Sequence, residues 1–409
     1  MKHTNRLIAA ITGCVILINF SVAFAQDWPQ WRGANRDGKV AGFEIPAEWP
    51  AELTPAWKIT VGASNSTPAL VNGRLYVFTR QGTEEVLRCL DAESGKELWQ
   101  DRYTAQAVTG AASRGHPGPR SSPTVSEGKV ITLGVGGMLS CLEAETGKVV
   151  WRKDEYTGAV PVYYTGMSPI VVDNICIAHL GGSDSGVIIA FDMATGREMW
   201  KRAGNGPAYG SPVLLTAGGT KQVIVQAEKN IVSLAAADGR LLWQTPTPPQ
   251  RRFYNSATPI VDGQTVFYTG HGLGTKAVTV QKQGDDFTVT ELWSNSELGT
   301  AYNTPVLKDG FLFGLSDRGR MYCLNAVTGQ TAWTDNSGHR NFCSLLDAGS
   351  VIIALPSESG LIVYKPNSNE YEELARINVA DTPVYAHPVI SGNRIYVKDE
   401  ETLMMFVIE

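Results

Sequence analysis

Three observations in this sequence predict an all-β fold, an eight-bladed β-propeller of four-stranded antiparallel blades. The first is a turn-and-tryptophan motif that recurs in phase. It reads DAESGKELW (Asp91 to Trp99), EAETGKVVW (Glu143 to Trp151), DMATGREMW (Asp192 to Trp200) and NAVTGQTAW (Asn325 to Trp333), with a shorter AADGRLLW from Ala236 to Trp243. The second is an interleaved Ser/Thr-Pro that precedes an apolar strand, at Pro68, Pro123, Pro169, Pro212, Pro259 and Pro305. His387-Pro388 continues that series, and Ser344-Leu345 keeps its phase without proline. The eight positions recur about every 46 residues, the size of one four-stranded unit. The third is composition: 42 Gly, 10 Trp and 14 Tyr with only 18% charged residues suit short strands joined by tight turns.

Taken from the N-terminus, the first element is a targeting segment. Lys2 and Arg6 precede an apolar run from Leu7 to Phe20, and Ala23-Phe24-Ala25 is a small-x-small cleavage site, so residues 1–25 read as a secretory signal peptide. Ile11-Thr12-Gly13-Cys14 resembles a lipoprotein processing box, but the apolar run continues past it, and cleavage after Ala25 is expected. Residues 26–52 follow, opening on WPQWRGANRDG (Trp28 to Gly38). They read as an amphipathic strap whose indoles cover one blade edge; a partner-docking tag is the alternative.

Residues 53–409 carry the repeats. VNGRLYVF, EGKVITL and SGNRIYV each place a turn and then alternating β-branched or aromatic residues, the pattern of a hairpin. The Asp-x-x-Thr-Gly segment closes a second hairpin, with glycine supplying a positive φ. Each sheet is apolar on both faces, so it is buried only by neighbours arranged in a ring. The recurring Trp on the last strand fills the gap between sheets, and Trp293 keeps that phase without the turn motif. After Pro388 the chain has room for three strands, so the strand bearing Trp57 is expected to complete the last blade.

The Asp/Asn-x-x-Thr-Gly-x-x-x-Trp signature resembles the PQQ-type β-propeller repeat of quinoprotein alcohol dehydrogenases and of the outer-membrane assembly lipoprotein BamB. None of the blade Trp residues is followed by Asp, which disfavours WD repeats, and Gly-Gly pairs in three blades are too few for kelch repeats. The resemblance implies two kinds of function. Members that bind PQQ place a calcium ion, an acidic base and often a vicinal cysteine pair near the axis. BamB-like members are non-catalytic.

The charge balance, 35 basic against 40 acidic side chains, gives no reason to expect nucleic acid as a partner. No second segment reaches the roughly 18 apolar residues of a membrane span. Cys89, Cys141 and Cys323 share one repeat position, where other blades place Ala190 and Ser233, so they read as small core residues, and any disulfide of Cys176 or Cys343 stays open. Metal-binding and Ser/His/Asp spacings are absent from the sequence. His116, His339 and His387 fall just before inner strands, and read as polar loop residues.

The loops that cross one face toward the axis carry the functional candidates. They place Tyr164, Tyr209, Tyr254, Tyr302 and Tyr385 just ahead of the inner strands, with His116, Arg120, Arg251, Arg252, Asn255, Asn303, Arg340 and His387 among them. A concave funnel of Tyr, Arg, Asn and His suits a ligand or peptide. Tyrosines repeated at one phase also suit a fold role, so the arginines and His116, which break the symmetry, carry more of the functional weight. Asp381 is the one acid in those loops, which leaves calcium and a catalytic base without ligands. The expectation is therefore an exported, monomeric, non-catalytic propeller without a cofactor, periplasmic or extracellular, that binds a protein partner or a small ligand. PQQ with calcium in a quinoprotein oxidoreductase is the alternative, and a glycan-binding propeller is a further one.

Overall fold

The computed structural model describes residues 26–110, 116–183, 185–248 and 254–408. Among them are 32 strands, no α-helix, and eight four-stranded sheets. Seven blades are built from strands consecutive in sequence, and their innermost strands begin at Ala69, Thr124, Ile170, Val213, Ile260, Val306 and Cys343. The eighth is closed by the N-terminus: Trp57–Thr60 pairs antiparallel with Thr402–Val407, Trp57 opposite Met405. The expected ring closure is present.

The turn-and-tryptophan motif has a physical logic that spans two blades. Asp192 Oδ1 accepts from the Thr195 backbone N–H at 2.8 Å and from its hydroxyl at 2.7 Å, which shapes the turn. Gly196 then adopts φ +69°, and a Cβ placed there would lie 2.6 Å from Trp151 Cγ of the preceding blade. The glycine thus answers two demands, a left-handed backbone and a flat seat for the neighbour's indole. The indole N–H of Trp151 reaches across to Met193 O at 3.1 Å, Trp200 does the same to Ala236 O at 3.0 Å, and Trp293 to Ala326 O at 2.9 Å. In six blades a small residue stands opposite the Trp on the adjacent strand: Cys89, Cys141, Ala190, Ser233, Ala277 or Cys323. In each of these six the register shifts at that position by a bulge; opposite Trp57, where the register is regular, the larger Met405 is accommodated. All five described cysteines are free and buried.

The Ser/Thr-Pro positions form a belt around the axis. The backbone N–H of Thr67 donates to Ser122 Oγ, Ser122 to Ser168, Ser168 to Ser211, Ser211 to Thr258 and Thr258 to Thr304, at 2.9–3.2 Å. His387 joins at the other end by donating to Thr67 Oγ1 at 2.9 Å. Each hydroxyl supplies the acceptor for the N–H of the previous blade, while proline after it brings no further donor to the crowded axis. Ser344, which lacks the proline, turns aside and donates to Ala386 O at 3.3 Å.

The segment expected to strap one blade edge instead enters the axis, which is a correction to the sequence reading. Trp28 pairs with Leu70 on the innermost strand of the first blade, and Val125 of the second donates to Pro29 O at 2.8 Å. Arg36 donates to Ser168 O and Pro212 O at 3.0 and 2.9 Å, and also to Pro169 O. Trp31 Nε1 reaches Thr258 Oγ1 at 2.9 Å, and Arg32 reaches Thr304 O and Pro305 O at 3.0 and 2.9 Å. Asp347 of the seventh blade exchanges backbone bonds with Gly38 and Val40, and Ser391 of the eighth donates to Gln26 O. Residues 26–40 therefore touch all eight blades and act as a hub. The hub coils tightly: a Cβ on Gly38 (φ +77°) would meet Arg32 Nη2 at 2.9 Å.

Candidate functional site

Above the hub, the axis opens into a funnel of about 340 Å³. Its floor is the Trp31 indole, whose ring meets His387 edge-on with centroids 4.6 Å apart. One wall is a tyrosine trio: Tyr254 contacts Tyr163 and Tyr209 edge-to-face at 5.1 and 5.8 Å. The backbone N–H of Tyr163 donates to the Tyr209 hydroxyl at 3.0 Å, which fixes the pair. The facing wall stacks Tyr302 on Phe342 at 4.4 Å, with Tyr385 edge-on to Phe342 at 5.0 Å and to His116 at 4.6 Å. Such offset and T-shaped contacts hold aromatic faces in fixed orientations and leave ring surface toward the cavity.

Among the described residues, Arg120 is the cation of the lining, which contains no Asp or Glu. Its Nη2 donates to His116 O at 2.9 Å, and its buried Nη1 has no hydrogen-bond partner. Burial holds its guanidinium below the usual arginine value. His116 accepts from Asn65 Nδ2 at 2.7 Å through Nδ1, and burial, with Arg120 beside it, lowers its pKa. It is thus neutral near pH 7 and keeps Nε2–H as a donor. His387 is held well below the ordinary histidine value by burial and by Arg32, and its Nδ1 is unpartnered. Burial raises the hydroxyl pKa of Tyr302 and Tyr385.

Eight of the residues singled out from the sequence line the funnel: His116, Arg120, Tyr209, Tyr254, Tyr302, Asn303, Tyr385 and His387. Three lie elsewhere. Tyr164 is buried beside Val135, and its hydroxyl accepts from the Thr109 backbone N–H at 2.9 Å. Asn255 is a clasp, its Nδ2 donating to Glu228 O at 3.0 Å and Thr247 O at 2.9 Å. Arg340 is exposed, and its backbone N–H donates to Glu358 at 2.6 Å. Arg251 lies outside the described residues, as does the signal peptide at 1–25.

Sequence reasoning missed Trp31, Asn65, Tyr163 and Phe342 as lining residues. Phe342 carried a legible signal, because it stands one blade along at the phase of the tyrosines. Tyr163 did not: in the Tyr163-Tyr164 pair, it is the positive φ of Tyr164, 65°, that decides which ring faces the funnel.

A second cavity of about 320 Å³ lies between the first two blades. It is bordered by Glu85, whose carboxylate accepts from the Tyr103 hydroxyl and, at 2.9 Å, from the Val135 backbone N–H. Burial raises the Glu85 pKa.

The family described as outer membrane protein assembly factor BamB matches residues 49–203 and 83–335 of this sequence. The chain belongs to this family. Like other BamB-family chains it is similar to BamB itself: 25% identity to the outer membrane protein assembly factor BamB of Moranella endobia (strain PCIT) over 356 residues, covering 82% of this chain and 83% of that one. Methanol dehydrogenase (cytochrome c) subunit 1 of Methylorubrum extorquens is 29% identical over 171 residues, but the match covers 38% of this chain and 26% of that protein.

Among solved structures, BamB from Moraxella catarrhalis superposes with a TM-score of 0.66 at 14% identity, covering 88% of this chain and 98% of that one. The quinohemoprotein alcohol dehydrogenase of Comamonas testosteroni gives 0.70 at 16% identity, covering 93% and 80%. At such identities the likeness concerns the fold alone.

The donor set of the funnel does not fit the PQQ–calcium pair of the dehydrogenases. Calcium asks for several oxygen ligands, carboxylates prominent among them, and the described lining residues include no carboxylate. Adjacent cysteines are also absent from the sequence. Among the described residues no group of three or more His, Cys, Asp or Glu is placed to hold a metal ion.

Proposed function

We propose that this chain is an exported, non-catalytic β-propeller of the cell envelope that works by binding, with the funnel as its binding site. Residues 1–25 act as the export signal, 26–52 as the leader that enters the axis, and 53–409 as the propeller, which functions as a monomer. His116, Arg120, Tyr209, Tyr254, Tyr302, Asn303, Tyr385 and His387 face the bound species. The observation that carries this reading is the funnel's chemistry: among the described residues, two aromatic walls and one guanidinium, with no carboxylate to act as a base. Family membership supports it, since the long-coverage relative is named as an outer membrane assembly factor.

The test has two arms on the mature chain. Titration with PQQ, with and without calcium, followed by a dye-linked assay on alcohols and sugars, should show no turnover; dye reduction would establish the quinoprotein reading instead. Photo-crosslinkers placed at Tyr163 and Tyr302 in intact cells should capture an envelope species that crosslinkers on the outer strands do not. Equal capture from both places would move the binding face away from the funnel.

A further inference from the structure

We infer that the funnel holds a small ring-bearing monocarboxylate, with Arg120 meeting the carboxylate and the two aromatic walls meeting the ring. This rests on the reading of the funnel as the binding site and names the ligand that the site is built for.

The first reason is the missing counter-charge. Arg32 and Arg36 sit on the same axis, and each is supplied with backbone carbonyl acceptors from the surrounding blades. Arg120 has one such carbonyl, on its own loop, and a buried Nη1 without a partner, as Arg32 has at Nε; what sets it apart is that it draws no carbonyl from another blade and borders the cavity. The nearby carboxyl of Glu85 is engaged by Tyr103 and Val135, and burial favours its neutral form. A ligand carboxylate in the funnel, which Arg120 lines, would give its charge the counter-charge that the lining lacks. His116, whose Nδ1 is occupied by Asn65, offers Nε2–H as a second donor.

The second reason is stoichiometry of charge and size. Among the described residues the lining holds one cation, and a second carboxylate on the ligand would find no partner among them. A cavity of about 340 Å³ is at the small end for ligand sites, which suits one ring rather than a fused polycyclic acid or a peptide. The third reason is the wall geometry. Tyr302 stacked on Phe342, and the tyrosine trio opposite, present flat surfaces on which either an aromatic ring or a sugar ring stacks.

The two ring sources are separated by matched pairs of probes on the mature full-length chain. Binding of 4-hydroxybenzoate is compared with 4-hydroxybenzamide, and of glucuronate with glucose, by calorimetry and by tryptophan fluorescence, which includes Trp31 at the funnel floor. One acid should bind roughly tenfold or more tightly than its neutral partner, and whichever acid binds identifies the ring. Arg120→Gln should abolish the preference for the acid, and Tyr302→Ala should weaken acid and neutral probe alike.

Equal binding of acid and neutral probe, or undiminished acid binding by Arg120→Gln, overturns the inference. Failure of both acids to bind at millimolar concentration overturns it as well. If Arg120→Gln does not fold, the acid–neutral comparison on the unaltered chain still decides. A neutral probe that binds as well as the acid and is lost in Tyr302→Ala sinks the carboxylate while leaving the funnel as the site. Equal crosslinking from rim and outer strands sinks the funnel itself.

Discussion

Arginines occupy two levels of the same axis, and they are treated in opposite ways. In the hub, Arg32 and Arg36 are almost wholly buried, and their guanidiniums are met by carbonyls from the third, fourth and sixth blades. Burial lowers their pKa values to about 10 and about 9, yet both stay charged at neutral pH. In the funnel, Arg120 is more open, has one carbonyl and keeps an unpartnered Nη1. Arg32 Nε is unpartnered too, so the contrast lies in what the carbonyls do: a guanidinium met by carbonyls of several blades ties them together, whereas one met by a single carbonyl of its own loop, beside a cavity, ties none.

The hub should be the more fragile level. Replacing Arg32 and Arg36 together by Ala would strand the carbonyls of three blades at the axis. The expected loss is about 5 kcal/mol or more, at roughly 1 kcal/mol per bond plus the cost of orphaned acceptors, read by urea unfolding. A loss under about 1 kcal/mol would mean the hub is decorative and the contrast false. The belt gives a smaller effect of the same kind. Ser168→Ala leaves the Ser122 N–H without its acceptor and should cost about 1–3 kcal/mol. Ser344→Ala loses only a hydroxyl that donates to Ala386 O at 3.3 Å, and should cost less than about 1 kcal/mol.

Glu85 sharpens the contrast further, because it is the carboxylate nearest to supplying Arg120 with charge. Its pKa is raised in the folded chain by burial, with the Tyr103 and Val135 bonds opposing. A raised acid stabilises the fold fully below its unfolded pKa of about 4.3, and that contribution is lost as pH rises through the folded value. Glu85→Gln can keep the bond from the Val135 N–H at its oxygen and, with its amide N–H donating to the Tyr103 oxygen, a second one of reversed direction, without the ionisation. Its melting temperature relative to the unaltered chain should therefore rise from pH 4 to pH 8. A difference that is flat or falls with pH would place Glu85 as an ionised partner of Arg120 and remove the reason for expecting a ligand carboxylate.

What the sequence disclosed followed from locality. Strand hairpins, the Thr-Gly turn and the Trp on the strand that follows it are all set within one repeat, so the eight sheets and the closure by Trp57 were legible from spacing alone. The hub was not. Trp31, Arg32 and Arg36 occur once each, in no repeat, and Arg32 finds its carbonyl partners at Thr304 and Pro305, far along the chain. The funnel was legible in outline, since loops that start inner strands must converge on the axis. Its details depended on backbone geometry, as in the positive φ of Tyr164, which sends that ring into the core and leaves Tyr163 at the surface of the funnel. Trp243 likewise departs from its repeat, bonding Gln222 of its own blade at 3.0 Å because that glutamine is inside the sheet.

The most direct test sets Arg36→Gln beside Arg120→Gln in parallel urea unfolding. Arg36→Gln should lose about 3 kcal/mol or more, while Arg120→Gln should change by less than about 0.5 kcal/mol, or gain stability by removing an unsatisfied buried charge. An Arg120→Gln chain destabilised as severely as Arg36→Gln would show that the funnel arginine, too, is there to hold the ring together.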